Sequence, residues 1–232
     1  MQNNRTGLLA ALTAGVSLAA VPAFAAVPLT DSHADIGIAF EDGAWDLHIH
    51  DEDTDIEYEF DEAFFLVDLS SGTNALRPAG SQFDFIGVGA GEGYFLLAST
   101  PQAGLPYIGW ATEEVEPGVF DGNITVQMVG ARGPGVMSVF DAGIGGVTPF
   151  FTTIDGIDGS DVMTLLQDTH VHYNISFSEP GTYEIDLVAS GDLIGGGTST
   201  SDVATYTFVV IPEPASLSLL GLGGLGLMRR RR

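Results

Sequence analysis

His33-Ala-Asp-Ile-Gly-Ile-Ala-Phe-Glu-Asp-Gly-Ala-Trp-Asp-Leu-His-Ile-His-Asp51 is the stretch that decides the fold class. Over 34–40, and again over 44–50, apolar residues recur at every second position, the period of a strand. Glu41-Asp42-Gly43 lies between the two segments and turns the chain, so they read as an antiparallel hairpin. Alternate side chains of a strand share a face. His33 therefore sits beside Asp35 and His48 beside His50, and only the register decides whether the two pairs face the same way.

The same signals recur along the chain. Short apolar or alternating segments at 56–60, 63–69, 82–88, 94–98, 107–110, 123–129, 136–140, 182–189 and 204–210 are separated by turns such as Gly91-Glu-Gly93, Gly133-Pro-Gly135 and Glu179-Pro-Gly181. One helix is expected, over 161–167 with Ser160 as its cap. Many short strands and almost no helix predict an all-β chain, an antiparallel β-sandwich of Ig-like or jelly-roll-like kind. No internal repeat of fixed period is visible.

Both ends stand apart from this pattern. Residues 1–25 carry Arg5, an apolar run over 8–21 and the small-x-small site Ala23-Phe24-Ala25, and read as a secretory signal peptide. The other end, 211–232, contains Pro212-Glu213-Pro214, an apolar run over 215–228 and Arg229, Arg230, Arg231 and Arg232. As a helix that run spans about 21 Å against a hydrocarbon core of about 30 Å, short for a permanent span. The prolines stop a helix from extending upstream, and the arginines hold the end in the cytoplasm. The domain between them is expected over 26–210.

Of the seven arginines in the chain only Arg77 and Arg132 lie in that domain, which also holds every acid except Glu213. Its net charge is about −28, a surface that repels nucleic acid and anionic lipid and attracts cations. Screening in salty water is the alternative reading of such a surface. Cysteine and lysine are absent, so cysteine and Schiff-base catalysis are excluded. Neither a Gly-x-Ser-x-Gly elbow nor His-Glu-x-x-His occurs.

Two resemblances follow from these stretches. Residues 33–51, Leu105-Pro-Tyr-Ile-Gly-Trp110, Gly133-Pro-Gly135 and His170-Val-His-Tyr-Asn174 with Pro180-Gly-Thr-Tyr183 resemble the bacterial surface-anchored, or choice-of-anchor M, domain. That family implies a secreted β-rich module fixed to the envelope and often linked with metal-uptake components. The tail resembles the PEP-CTERM sorting signal of Gram-negative bacteria that secrete exopolysaccharide. It implies an exosortase as partner, transient insertion in the inner membrane, and then release to the cell surface or matrix.

Every histidine of the chain belongs to an alternating pair: His33 with Asp35, His48 with His50, His170 with His172. Imidazole and carboxylate together suit Zn²⁺ or another transition metal. These six residues are the candidate ligands, with Asp46, Asp51 and Asp168 as acceptors that would orient the rings. The acidic stretches 51–55 and 155–161 offer oxygens to Ca²⁺, but neither fits an EF-hand, and solvated loops are the preferred reading. Trp45, Tyr107, Trp110 and Tyr173 offer stacking faces for sugar or side chains for a core.

The sequence thus points to a non-enzymatic, transition-metal-binding protein of the cell envelope. Two alternatives stay open: an exopolysaccharide-binding or adhesive matrix protein, and a metal-dependent hydrolase with Asp35 or Asp51 as base.

Overall fold

The computed structural model describes residues 26–69 and 72–212. The expected signal peptide with Ala23 and Ala25, and the tail from Glu213 onward, lie outside the described residues.

The described residues form seventeen strands and one short 3-10 helix, Ser81–Ile86. In chain order the first eight strands are β1 (Val27–Leu29), β2 (His33–Glu41), β3 (Ala44–Asp51), β4 (Ile56–Glu59), β5 (Ala63–Leu69), β6 (Ala75–Leu76), β7 (Gly93–Leu97) and β8 (Tyr107–Ala111). Then come β9 (Ile124–Arg132), β10 (Met137–Gly143), β11 (Gly146–Thr152), β12 (Val162–Leu165) and β13 (His170–His172). The last four are β14 (Asn174–Phe177), β15 (Gly181–Asp192), β16 (Thr198–Thr200) and β17 (Ala204–Pro212).

They assemble into three sheets. One has the order β1-β5-β17-β15-β9-β12, with β16 beside β15; a second runs β11-β10-β14-β7-β6; the third runs β13-β8-β2-β3-β4. Pairing is mixed and not purely antiparallel as expected, because β1 with β5, β5 with β17, and β2 with β8 run parallel. β17 reaches Pro212, opposite Leu69, so the first proline of the Pro-Glu-Pro triplet closes the last strand.

The hairpin forms as expected. Glu41 pairs with Ala44 across Asp42 and Gly43, both at positive φ (50° and 84°), the two-residue turn whose twist matches its strands. One apolar core draws on all three sheets, including Ile36, Ile49 and Trp110 from the third, Phe65, Tyr183 and Phe208 from the first, and Val139 and Phe177 from the second. Each such side chain, fully buried, contributes about 1.5–3 kcal/mol.

Two expected elements differ. The segment 161–167 is no helix. Met163 and Leu165 point inward while β12 pairs antiparallel with β9, and the Asp161 carboxylate accepts the backbone N–H groups of Thr152 and Asp158. A run of four mostly apolar residues has no period of its own, so the free edge of β9 decides its state. The segment 82–88, expected as a strand, is the 3-10 turn ended by Gly87 at φ 82°. The Arg77 guanidinium, nearly buried, ties that turn by donating to the carbonyls of Gly80 and Phe83 and pairing with Asp84.

Candidate metal centre

The sheet β13-β8-β2-β3-β4 turns Ile36, Ile38, Ile49, Ile108 and Trp110 into the core. Alternation then places every histidine on its other face. Register arranges them in two rows. His172, Gly109, Asp35, His50 and Glu57 are successive cross-strand partners in one row, and His170, Ala111, Gly37, His48 and Glu59 in the next. The two pairs of the hairpin do face the same way.

Glycine makes the rows usable. A Cβ on Gly109 would overlap Asp35 Oδ1 and His170 Nε2, and one on Gly37 would overlap the His48 ring. Glycine weakens a strand interior and often marks a close approach. Here the missing side chains are the space into which imidazole and carboxylate lean.

His33 Nε2 lies 3.3 Å from His170 Nε2, and Asp35 Oδ1 lies 3.4 Å from the first and 3.1 Å from the second. His172 completes the group: its ring centroid is 5.0 Å from that of His33 and 4.9 Å from that of His170. One donor nitrogen from each of the three imidazoles falls within 4.8 Å of the others. A tetrahedral zinc ion with bonds of about 2.0–2.1 Å spaces its ligands about 3.3 Å apart, so the separations among His33, His170 and Asp35 suit a coordination sphere. Asp35 is fully buried, yet neither of its oxygens has a hydrogen-bond partner. A buried carboxylate left so is costly unless a cation answers it.

The rings are held from behind. His172 Nδ1 donates to the Ile108 carbonyl at 2.9 Å, which leaves Nε2 as its free donor. Tyr107 stacks on His172 with centroids 3.7 Å apart and planes 11° off parallel. Glu113 Oε2 lies 3.4 Å from His170 Nδ1. Burial pushes His172 down to about 4, and burial with the neighbouring His170 holds His33 below its ordinary value. Both are therefore neutral at neutral pH, the state that ligates a metal. Burial, with Glu52 adding to it, raises Asp35 to about 7, a cost that a bound cation would reverse.

Residues 210–232 match the PEP-CTERM protein-sorting motif. The match takes in the sorting residues Pro212, Glu213, Pro214, Arg229, Arg230, Arg231 and Arg232. A PEP-CTERM motif implies processing by an exosortase and sorting of an exported protein to the surface of a Gram-negative cell. Comparison with curated proteins and with solved structures returns no match.

In the domain ahead of that PEP-CTERM segment, the six residues singled out by sequence divide. His33, Asp35, His170 and His172 come together; His48 and His50 share their face but not their cluster. His50 instead sits 3.2 Å from Glu52 and 3.5 Å from Asp55. None of the three aspartates expected to orient rings does so. Asp46 and Asp168 are exposed, while Asp51 accepts from the Asp53 N–H and the Thr54 hydroxyl and shapes the β3–β4 turn. Asp161 is likewise engaged by its own loop. Trp110 is fully buried, and Trp45 stacks on Phe120 at 5.0 Å while donating to Ser199. Glu57, Glu113 and Glu114 carry no assignment from sequence, and Glu52 enters there only as one of the acids of the 51–55 stretch. Only Glu57 carried a signal, the alternation of Ile56-Glu-Tyr-Glu59.

Proposed function

We propose that this chain is an exported, non-enzymatic envelope protein that holds a transition-metal ion, with Zn²⁺ the best fit, at His33, His170, His172 and Asp35. The observation that carries this reading is the convergence of three imidazoles, two of which, His33 and His170, face a fully buried carboxylate that lacks a hydrogen-bond partner. Three nitrogens and one oxygen fill a tetrahedral sphere. That is the pattern of a closed site, with no position left for a reactive water. Placement of the four donors on two strands, β2 and β13, with β8 between them, means that a bound ion would also cross-link a domain that has no cysteine. The sorting motif, together with the resemblance of the mature domain to envelope modules linked with metal uptake, favours sequestration of the ion at the cell surface.

The test is metal analysis of the exported protein purified without an affinity tag, followed by the double substitution His170→Ala/His172→Ala. Loss of two of four donors is expected to weaken Zn²⁺ binding by at least about 100-fold. Unchanged metal content in the double variant would remove the site.

A further inference from the structure

We infer that the same sheet face carries a second cation position, separate from the first, at His48, Glu57 and Glu114. One ligand atom from each of these residues falls within 4.8 Å of the other two. His48 is only 4% exposed, and both its ring nitrogens lack a hydrogen-bond partner. Its Nε2 faces Glu114 Oε2 at 3.7 Å, too far for a hydrogen bond and suited to two ligands of one ion.

His48 and Glu114, though not Glu57, border a cavity of about 20 Å³ together with Gly37, His50, Glu52 and Glu113. A cavity needs about 10–15 Å³ to hold one water, so this one takes a single water or a single ion. Two pieces of backbone build it. Gly37 leaves the floor open beneath the His48 ring. The segment carrying Glu113 and Glu114 is clamped over β2, with the Phe40 N–H donating to the Glu114 carbonyl and the Glu116 N–H to the Phe40 carbonyl.

The donor set is chemically distinct from the first. One imidazole with surrounding carboxylates is a mainly oxygen site, which suits a divalent cation of the Mn²⁺ type, whereas three imidazoles suit Zn²⁺. Glu113 borders this cavity and reaches His170 Nδ1 from outside the first site, and it is a ligand in neither set. The second position does not depend on the first, because the two share no ligand.

The experiment loads the exported protein with one equivalent of Zn²⁺ and titrates Mn²⁺ at 0.3 M NaCl, reading free Mn²⁺ by electron paramagnetic resonance. One Mn²⁺ per chain is expected, and at least tenfold weaker binding in His48→Ala. Glu114 is partly exposed, so Glu114→Gln keeps the fold and should weaken Mn²⁺ binding in the same direction. Asp121→Asn, an acid elsewhere, should leave it unchanged. His170→Ala/His172→Ala should lose Zn²⁺ and keep Mn²⁺. If Mn²⁺ does not saturate at one per chain, or Glu114→Gln binds it as the unaltered chain does, the second position is overturned whatever happens to Zn²⁺. If His170→Ala/His172→Ala keeps both ions, the first site is wrong and the second stands.

Discussion

Asp35 is the residue on which the chemistry of the site turns. Burial raises its carboxyl to about 7 from an ordinary 3.8, so without a metal it keeps its proton until near neutrality. A bound cation must displace that proton. Zn²⁺ affinity should therefore rise about tenfold per pH unit below 7 and level off above. Calorimetry at pH 6 in two buffers of different ionisation enthalpy should detect proton release on binding, and Asp35→Asn should lower it by about one proton; a flat pH profile would sink the assignment. The stability of the metal-free protein carries a second sign. The raised Asp35 contributes stability that is complete below 3.8 and lost as pH rises through about 7. His172, lowered from 6.5 to about 4, contributes stability present above 6.5 and lost as pH falls through about 4. In the shared window the two slopes oppose each other, and the lowered His33 acts in the same direction as His172.

At the scale of the element, β8 is the strand that makes a site out of separate pairs. It is the spacer between β13 and β2, and Gly109 keeps it low where the side chains of both neighbours cross. Gly109→Ala should displace Asp35 and His170 and reduce Zn²⁺ affinity by at least about tenfold, with a stability cost of about 1–3 kcal/mol. Gly145→Ala is the control, because a Cβ there meets nothing within 4 Å. Equal metal binding in the two variants would show that the glycine is not what admits the donors. The hairpin was legible beforehand because alternation and an Asp-Gly turn specify β2 and β3 locally. Strand β12 was not, since Val162-Met-Thr-Leu165 takes its conformation from β9 and only contact with β9 reveals it.

For the whole molecule the controlling term is charge. About 28 net negative charges on the mature domain repel one another, and a bound divalent ion relieves part of that repulsion at its centre. Zn²⁺ at 100 times its dissociation constant should stabilise the fold by about 2.7 kcal/mol, a rise in Tm of roughly 5–10 °C for a domain of this size. A chelator should reverse the rise, and His170→Ala/His172→Ala should lack it. Raising NaCl from 0.05 to 1 M should increase the Tm of the chelated protein, as screening shortens the reach of the repulsion from about 14 to 3 Å; a salt-independent Tm would contradict the charge argument. Replacing Pro212-Glu213-Pro214 by alanines should leave the unprocessed chain in the inner membrane, detected by its size and fractionation. Normal release would show that the motif is not the signal used.

What the sequence by itself determined is what local rules encode: the strands with clear alternation, the turns between them, the pairing of histidines on common strand faces, the acidic surface and the sorting tail. Period two assigns a face without any knowledge of neighbours, which is why His33 with Asp35, and His170 with His172, were already couples before any fold was known. Which couples meet was decided only in three dimensions. Strand order β13-β8-β2-β3 places His170 and His172 two strands from Asp35, and parallel pairing of β2 with β8 sets the register that brings His33 to them while leaving His48 to Glu57 and Glu114. Order and register follow from which apolar faces can share one core, and that is a property of the packed chain as a whole that no spacing along it records.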